Sequence, residues 1–340
     1  MSSLLPRRGS IRTAAVAFAA VALATLTACG GGSDSDAGSA STDATATGAG
    51  AFPTTVTTKF GDVTIKSQPK RVVALGWSDA EVALSLGVQP VGASDWLAFG
   101  GEGLGPWVTE KYTTAPEIIG TLEPEYEKIA ALKPDLILDV RSSGDQKRYD
   151  TLSKIAPTVD VPKDGDNYLT PWTEQTTMIA QALGVPEKGK ALIDATEADF
   201  TQAAAANPDF KGKTITVGSK SSEGYGAYVS GDSRVDLVEK LGFENNPTVQ
   251  KQAGDSFSIT VSNENLKQLD ADVLVMLPIF IDAKEVTGDP LFQAIPAVKA
   301  GHDVVIDDTN IGNAFSAATP GATAYALEKV VPLIKAALAK

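Results

Sequence analysis

Two series of short apolar runs alternate with helical stretches in this chain, and this alternation restricts its fold more than any other feature. In the first series, a run from Arg71 to Leu75 precedes a helical stretch from Ser78 to Leu86, and a helical stretch from Tyr126 to Leu132 precedes a run from Leu136 to Val140. The last run lacks polar alternation, which is typical of a strand buried on both faces. The pattern predicts a sheet of parallel or mixed strands covered by helices.

The same pattern restarts in the second half of the chain. Strands are predicted at Thr214 to Val217, Val273 to Leu277 and Val304 to Ile306, and helices at Arg234 to Leu241 and Asn263 to Leu269. The expected fold is therefore α/β, with two Rossmann-like lobes built on central mixed or parallel sheets.

A helical region separates the two series. Helical periodicity extends from Trp172 to Leu183 and, after a break at Gly184-Val-Pro186, from Glu187 to about Ala206, and Pro208 ends it. A single long helix between two lobes would make a stiff connection and permit only limited closure of a ligand cleft. The expected domains are an N-terminal lobe at 52–170, an interdomain helical region at 171–208 and a C-terminal lobe at 209–340.

An alternating segment from Thr54 to Lys66 precedes the first series. Apolar residues recur in it with the period of a strand, and Gly61-Asp62 is a dipeptide that favours tight turns. The segment predicts a β-hairpin with its turn at Gly61-Asp62.

The composition excludes several kinds of site. The chain of 340 residues contains one cysteine and one histidine, so a disulfide framework, a Cys/His zinc site and a heme held by paired histidines are all excluded. The net charge of -13 argues against nucleic acid as a partner, because phosphate binding needs clustered lysine and arginine. A folded monomer without a cofactor is expected.

The first 28 residues have the features of an export signal. Three arginines precede an apolar run from Ala14 to Leu26, which is too short for a stable membrane span of roughly 20 residues. The run ends in Leu26-Thr-Ala-Cys29, which resembles the lipobox of bacterial lipoproteins, in which the cysteine is lipidated and becomes the new N-terminus. A signal peptide with a chance cysteine is the alternative, and export by the Sec or the twin-arginine route stays open.

The segment after Cys29 has a composition that cannot form a core. Residues 30–50 contain only Gly, Ser, Asp, Ala and Thr. Residues 29–51 are therefore expected to form a flexible tether that holds the protein, through a lipid at Cys29, on the outer face of the cytoplasmic membrane.

Several fragments, in this order, resemble the iron-siderophore substrate-binding proteins of ABC importers. They are Phe60 to Ile65, Pro69 to Leu75, Leu86 to Gly92, Tyr126 to Leu138, Trp172, Val261 to Glu264, Pro290 to Ala294 and Ala300 to Val305. The resemblance implies a bilobed fold with one interdomain helix and a ligand cleft between the lobes. It also implies that the chain delivers a ferric siderophore to a permease with its ATPase and performs no chemistry.

Residues that follow strand ends are the candidates for contact with the ligand, because a cleft of this kind forms at the carboxyl ends of strands. These candidates are Trp77, Trp96, Arg141, Lys220, Tyr225, Phe280, Asn310 and Phe315, and Trp172 at the start of a helix is a further one. Aromatic faces would cover the organic shell of the chelate, and Arg141 would donate hydrogen bonds to its oxygens. The iron itself would be held by the siderophore, not by this chain.

Structural roles are the alternatives for the same residues. Arg141 is close enough in sequence to Asp145 for a loop salt bridge, and Trp77 and Trp96 are of a residue type that is largely buried on average. Trp172 fits a place at the hinge as well as one in the cleft.

Docking to the permease is the second function that the resemblance implies. One surface glutamate from each lobe pairs with the permease in this family, and the matching positions are Glu127 and Glu264. Glu123 and Glu125 are close enough to confuse the first assignment. An ordinary acid in the first turn of a helix, favoured by the helix dipole, is the alternative for either glutamate.

Two other functions stay open. The same fold with heme or cobalamin as cargo is one, although only Tyr225 and a few other tyrosines are available as heme ligands. A hydrolase is the other, and its catalytic triad would have to use His302, which lies before a predicted strand on the side away from the cleft.

Overall fold

The computed structural model describes residues 52–340, and all of them belong to one compact unit. The predicted signal peptide at 1–28 and the predicted tether at 29–51, with its predicted lipidation at Cys29, lie outside the described residues. The predicted α/β architecture is confirmed within the described range, which contains a hairpin and two larger sheets covered by helices.

The hairpin is formed by β1 (Thr54–Thr58) and β2 (Gly61–Ile65). Thr58 pairs with Gly61, so the two turn residues are Lys59 and Phe60, and the prediction of a turn at Gly61-Asp62 was wrong by two residues. Gly61 instead begins β2 with a φ of 107°, a backbone conformation that glycine adopts without the strain of a side chain. The buried face of the hairpin packs against the N-terminal lobe.

The sheet of the N-terminal lobe has five strands, all parallel, in the order β5-β4-β3-β6-β7. The strands are β3 (Val72–Ala74), β4 (Gly92–Ser94), β5 (Glu117–Ile119), β6 (Leu136–Leu138) and β7 (Thr158–Val159). The helices of this lobe are α1 (Asp79–Ser85), α2 (Tyr126–Ala131) and α3 (Gln146–Leu152). β3 and β6 are completely buried, as their lack of polar alternation predicts.

The interdomain region consists of α4 (Trp172–Ala182), which packs on elements of the N-terminal lobe, and the single long connecting helix α5 (Pro186–Ala206), followed by a 3-10 turn at Pro208–Phe210. Both helices lie close to where the periodicity predicts them. Pro186 starts α5 at a position where its missing N–H costs nothing. α5 packs on α4 and also on helices of the C-terminal lobe, so it touches both halves.

The sheet of the C-terminal lobe is mixed, in the order β11-β9-β8-β12-β13, with β10 also paired to β8. Its strands are β8 (Thr214–Ser221), β9 (Gly224–Tyr228), β10 (Glu244–Asn245), β11 (Ser258–Val261), β12 (Val273–Pro278) and β13 (Asp303–Val305). β9 and β11 run antiparallel to their neighbours, and the other pairings are parallel.

Seven helices belong to the C-terminal half, together with a 3-10 helix at Asn263–Leu269. They are α6 (Ser233–Lys240), α7 (Pro247–Gln250), α8 (Ala283–Thr287), α9 (Pro290–Gln293), α10 (Pro296–Ala300), α11 (Thr309–Ala317) and α12 (Pro320–Leu338). Within residues 52–340, none of the helices has both the length and the apolar character needed to cross a membrane.

The two lobes share part of one apolar core. Trp107, Val108 and Tyr112 belong to the N-terminal lobe by sequence, yet they pack into the cluster of buried residues around α12. The ring centroids of Trp107 and Tyr325 of α12 are 5.7 Å apart. The chain after β4 therefore reinforces the connection that α5 makes between the lobes.

Candidate ligand-binding cleft

Three aromatic rings from the N-terminal lobe form one stack at the junction of the lobes. The ring of Trp77 lies between those of Trp96 and Tyr168, with centroid distances of 4.3 and 4.1 Å and interplanar angles of 7° and 23°. Phe257 of the C-terminal lobe meets the Trp77 ring edge-on at 5.9 Å. Trp77 and Trp96 follow β3 and β4, so the carboxyl edge of the first sheet places them together, as predicted.

A buried carboxyl group holds the backbone that carries this stack. One oxygen of Asp79 accepts the backbone N–H of Val140 at 2.7 Å, and the other accepts the side-chain amide of Gln175 at 2.6 Å. Gly76 is needed beside it, because a Cβ there would lie 2.3 Å from the Asp79 carboxylate and 2.9 Å from the backbone nitrogen of Arg141. Burial raises the pKa of Asp79 to about 7.

Arg141 lies beside the stack and reaches across the junction. Its side chain donates to the carbonyl of Ala317 at 3.1 Å and to the hydroxyl of Ser233 at 2.8 Å, both in the C-terminal lobe, and to the carbonyl of Tyr168 at 3.3 Å. Its guanidinium carbon is 5.7 Å from the ring centroids of both stacked tryptophans. No carboxylate of the described residues lies within salt-bridge distance of it, and burial lowers its pKa to about 10.

A second guanidinium lies on the facing side of the junction and is fully paired. Arg234 of α6 donates two hydrogen bonds to Asp232, at 2.9 and 2.8 Å, and its guanidinium carbon is 3.8 Å from the ring centroid of Tyr228. Burial disfavours the charge, but the Asp232 carboxylate and the Tyr228 side chain together outweigh this effect and raise the pKa of Arg234. The C-terminal face therefore contributes a neutralised ion pair, whereas the N-terminal face contributes a cation without a counter-ion.

Further hydrogen bonds close the junction. The hydroxyl of Ser78 donates to the carbonyl of Ala317 at 3.0 Å, and the side chain of Asn167 donates to the carbonyl of Asp255 at 2.8 Å. A cavity of about 400 Å³ opens beside the stack, and it is lined by Asn167, Tyr168, Asp255, Ser256 and Phe257. Residues of both lobes thus surround one site.

Lys220 and Tyr225, which the sequence analysis grouped with the cleft, belong to a different cluster. Tyr225 lies in β9 and not after a strand end, and it pairs with Lys220 across a hairpin. The Tyr225 hydroxyl and the Lys220 ammonium both bind the Asp289 carboxylate at 2.8 Å. These groups satisfy one another, and their role in ligand binding stays a prediction.

Four other candidates are not in contact with the stack. Phe280 is 86% exposed after β12, and Asn310 is exposed in the first turn of α11. Trp172 and Phe315 are buried in the apolar core, and the ring of Trp172 lies 6.5 Å from that of Phe200 on α5. Trp172 therefore lies against the hinge helix and Phe315 in the core, and the role of both in ligand binding stays a prediction.

The sequence analysis missed several residues at the junction. Tyr168 and Asn167 both have a positive φ, 63° and 47°, which is uncommon for side chains of this size and more frequent at functional sites. Phe257 and Ser233 were missed because they join the site only through contacts between the lobes. Arg234 could have been found from the sequence, because Asp232, two residues before it, is of a residue type that favours the N-cap of a helix and could also pair with an arginine.

The two glutamates proposed for docking are on exposed first turns. Glu127 lies in α2, and Glu264 lies in the 3-10 helix of the C-terminal lobe. Glu125 is already engaged, since it binds the Lys128 ammonium at 2.7 Å and accepts the backbone N–H of Gly120. Among residues 52–340, neither Glu127 nor Glu264 takes part in a salt bridge, which leaves both available to a partner.

The described residues offer no arrangement of three or more His, Cys, Asp or Glu side chains suited to a metal ion. His302 lies directly before β13, where its carbonyl accepts the backbone N–H of Leu274 at 2.9 Å. It is not among the residues that surround the stack.

Comparisons with known proteins agree with this geometry. A family model described as periplasmic binding protein matches residues 72–309. A probable siderophore-binding lipoprotein of Bacillus subtilis is 30% identical over 270 residues, which cover 72% of this chain and 77% of the relative.

Solved structures of similar proteins align with most of this chain. A periplasmic solute binding protein of Mycobacterium smegmatis has a TM-score of 0.72 and 26% identity, over 84% of this chain and 98% of that one. The PiaA protein of Streptococcus pneumoniae in complex with ferrichrome has a TM-score of 0.70 and 27% identity, over 84% and 98% of the two chains. The chain belongs to the periplasmic binding protein family.

Proposed function

We propose that this chain is the substrate-binding component of an ABC importer, which captures a ferric siderophore outside the cytoplasmic membrane and delivers it to a permease with its ATPase. The observation that carries the proposal is the stack of Trp77, Trp96 and Tyr168 beside the guanidinium of Arg141, at the junction of two lobes. The relatives add support, because one is named as siderophore-binding and another was solved with ferrichrome.

The junction has the two properties that a ferric chelate requires. Its aromatic rings offer apolar surface to the organic shell, and Arg141 offers hydrogen-bond donors to the oxygens around the iron. The chelate enters when the lobes part, because Arg141 and Ser78 now bind the Ala317 carbonyl across the junction. The chelate oxygens then replace these acceptors, and no chemical step is involved.

Quenching of tryptophan fluorescence tests the proposal directly. Ferric hydroxamate, catecholate and carboxylate siderophores are titrated into the purified protein, with heme and cobalamin as comparison ligands. Saturable quenching by one ferric class is expected. Saturation by heme or cobalamin alone would refute the assignment of iron chelates as cargo.

A matched pair of variants localises the site. Trp77→Leu removes the central ring that holds Trp96 and Tyr168 in place, and it is expected to raise the Kd by up to about tenfold, since each aromatic pair contributes roughly 0.5–1.5 kcal/mol. Phe60→Leu removes a stack of similar geometry with Tyr149, at 4.3 Å and 18°, which has no part in the junction. This control should leave the Kd within about twofold, and equal effects of both variants would argue against the proposed site.

Docking to the permease is tested by charge reversal on each lobe. Glu127→Arg and Glu264→Arg are each expected to lower uptake by about tenfold while the Kd for the chelate stays unchanged, because the surface charges act only on the partner. Glu123→Arg is the control, and it should leave uptake unchanged. Uptake that is insensitive to both charge reversals would contradict the docking assignment.

The lipid anchor is tested at the N-terminus of the native protein. Mass spectrometry should find a diacylated Cys29 as the first residue of the chain, and Cys29→Ser should release the protein from the membrane fraction. An unmodified Cys29 in membrane-bound protein would contradict the anchor.

A further inference from the structure

Arg141 lies near buried hydrogen-bond donors that have no acceptor. Among the described residues, the indole N–H of Trp77 and the hydroxyl of Ser142 are buried without a partner, and both belong to the backbone segments that Asp79 holds together. One buried acceptor of the same segments, the side-chain oxygen of Gln175, also has no partner. Arg141 itself has five N–H groups, and three neutral oxygens accept from it. A buried donor without an acceptor is costly, so the site favours a ligand that brings acceptors.

Neighbouring acids offset the positive charge of Arg141 only in part, because Asp232, Asp79 and Asp236 attract it without binding it and Arg234 repels it. Asp232 is occupied by both hydrogen bonds from Arg234, and Asp79 binds Val140 and Gln175 and is far from fully ionised at neutral pH. Asp236 accepts the backbone N–H of Gly231 and is not bonded to Arg141. A buried guanidinium that has only neutral partners gains most from a ligand that supplies negative charge.

The aromatic rings do not offset this preference. A cationic ligand would gain from the face of a tryptophan or tyrosine, but both faces of Trp77 are covered, one by Trp96 and the other by Tyr168. The guanidinium of Arg141 already lies near the Trp96 ring. A second cation in this position would be repelled by Arg141.

Building on the proposed function, we propose that the site selects ferric chelates with a net negative charge, and that an anionic oxygen group of the chelate, such as a carboxylate, replaces Ala317 and Ser233 as the partner of Arg141. The indole N–H of Trp77 and the hydroxyl of Ser142 donate to the same oxygen-rich surface. Neutral chelates bind less tightly, and chelates with an ammonium group bind least.

A series of chelates with one skeleton and three charges tests the selectivity. Ferrioxamine B carries a free amine and a charge of about +1, its N-acetyl derivative is neutral, and its N-succinyl derivative carries about -1 at neutral pH. The Kd of each is measured by tryptophan quenching, with ferric citrate and ferrichrome as an independent anionic and neutral pair. The Kd is expected to fall by at least about tenfold from the cationic to the anionic derivative, and ferric citrate should bind more tightly than ferrichrome.

Equal affinities along the series, or tighter binding of the cationic or neutral member, would overturn the inference and leave the proposed function intact. Binding of none of the five chelates would count against the proposed function itself. If only ferric citrate and the succinyl derivative bind, the result would support the proposed function and the charge selectivity together.

Two substitutions of arginine connect the selectivity to its cause. Arg141→Gln should reduce the ratio of the cationic to the anionic Kd to less than about threefold. Arg71→Gln removes the same charge at the amino end of β3, at the sheet edge opposite to Arg141, where Arg71 is exposed and donates to the Leu132 carbonyl, and it should leave the ratio unchanged. If circular dichroism shows that Arg141→Gln does not fold, Trp77→Phe keeps a ring and removes the free N–H, and it should weaken binding of the anionic derivative alone. An unchanged ratio in Arg141→Gln, or an unchanged Kd of the anionic derivative in Trp77→Phe, would contradict the assignment.

Discussion

Glu81 is a buried acid whose replacement by glutamine should stabilise the protein above neutral pH. It lies in α1 with 7% of its surface exposed, and a single oxygen, Oε1, accepts both from the indole N–H of Trp107 at 2.8 Å and from the hydroxyl of Thr319, the N-cap of α12. Glutamine has a carbonyl oxygen of the same shape, so Glu81→Gln keeps both hydrogen bonds. It removes only the ability to ionise.

The size and sign of the effect follow from the pKa of Glu81. Burial raises it from 4.5 to about 7, although the hydrogen bonds from Thr319 and Trp107 work in the opposite direction. Between these two pH values the folded chain binds more protons at Glu81 than the unfolded chain does, so the contribution of Glu81 to stability is fully present below pH 4.5 and is lost as the pH rises through about 7. The total change is about 3 kcal/mol.

Urea unfolding at several pH values from 4.5 to 8 measures this difference. The free energies of unfolding of the wild type and Glu81→Gln should agree within about 1 kcal/mol at pH 4.5, and the variant should become more stable by up to about 3 kcal/mol at pH 8. Parallel curves for the two proteins across this range would refute the reasoning.

Asp79→Asn provides the contrasting case, because both of its oxygens accept hydrogen bonds. The amide nitrogen of asparagine would face a donor, either Val140 N–H or the Gln175 side chain, and one hydrogen bond would be lost. This variant should therefore be less stable by about 1–3 kcal/mol in the acid range, where Glu81→Gln is neutral.

Two further substitutions have expected effects on urea unfolding. Arg148→Met should cost about 3–5 kcal/mol, because Arg148 binds both oxygens of the buried Asp139 at 2.6 and 2.7 Å, whereas Lys190→Met, which breaks an exposed ion pair, should cost less than about 0.5 kcal/mol. An equal cost for both would contradict the role of burial. Gly76→Ala should cost about 1–3 kcal/mol, because its Cβ would overlap the Asp79 carboxylate, and Gly254→Ala, where the Cβ meets nothing within 4 Å, should cost less than about 1 kcal/mol. If Gly76→Ala left the free energy of unfolding unchanged, the turn would have room to accommodate the Cβ, and the expected overlap would be refuted.

The elements that the sequence predicted correctly are those whose signal is local. Buried strands such as β6 and β12 are continuous apolar runs, and α5 has a proline at its start and another just beyond its end. β9 was missed because its glycine-rich sequence is typical of a loop and its strand conformation depends on pairing with β8 and β11. The last two helices were not predicted, although they have local signals, an N-cap at Asp308 and another at Thr319 followed by Pro320.

The residues of the site also fall into two groups, those that have a local sequence signal and those that do not, for a physical reason. Trp77, Trp96 and Arg141 could be found because each follows a strand of one parallel sheet, and the carboxyl ends of such strands meet at one edge. Their partners Ser233 and Ala317 are 92 and 176 residues from Arg141 in sequence, and no local pattern carries information about a contact over that distance. The same separation makes these contacts useful to a binding protein. Arg141 can bind Ser233 and Ala317 only when the lobes are close together. A chelate that takes the place of these two acceptors therefore changes the energy of the closed position of the lobes. Ligand binding and lobe position are coupled in this way.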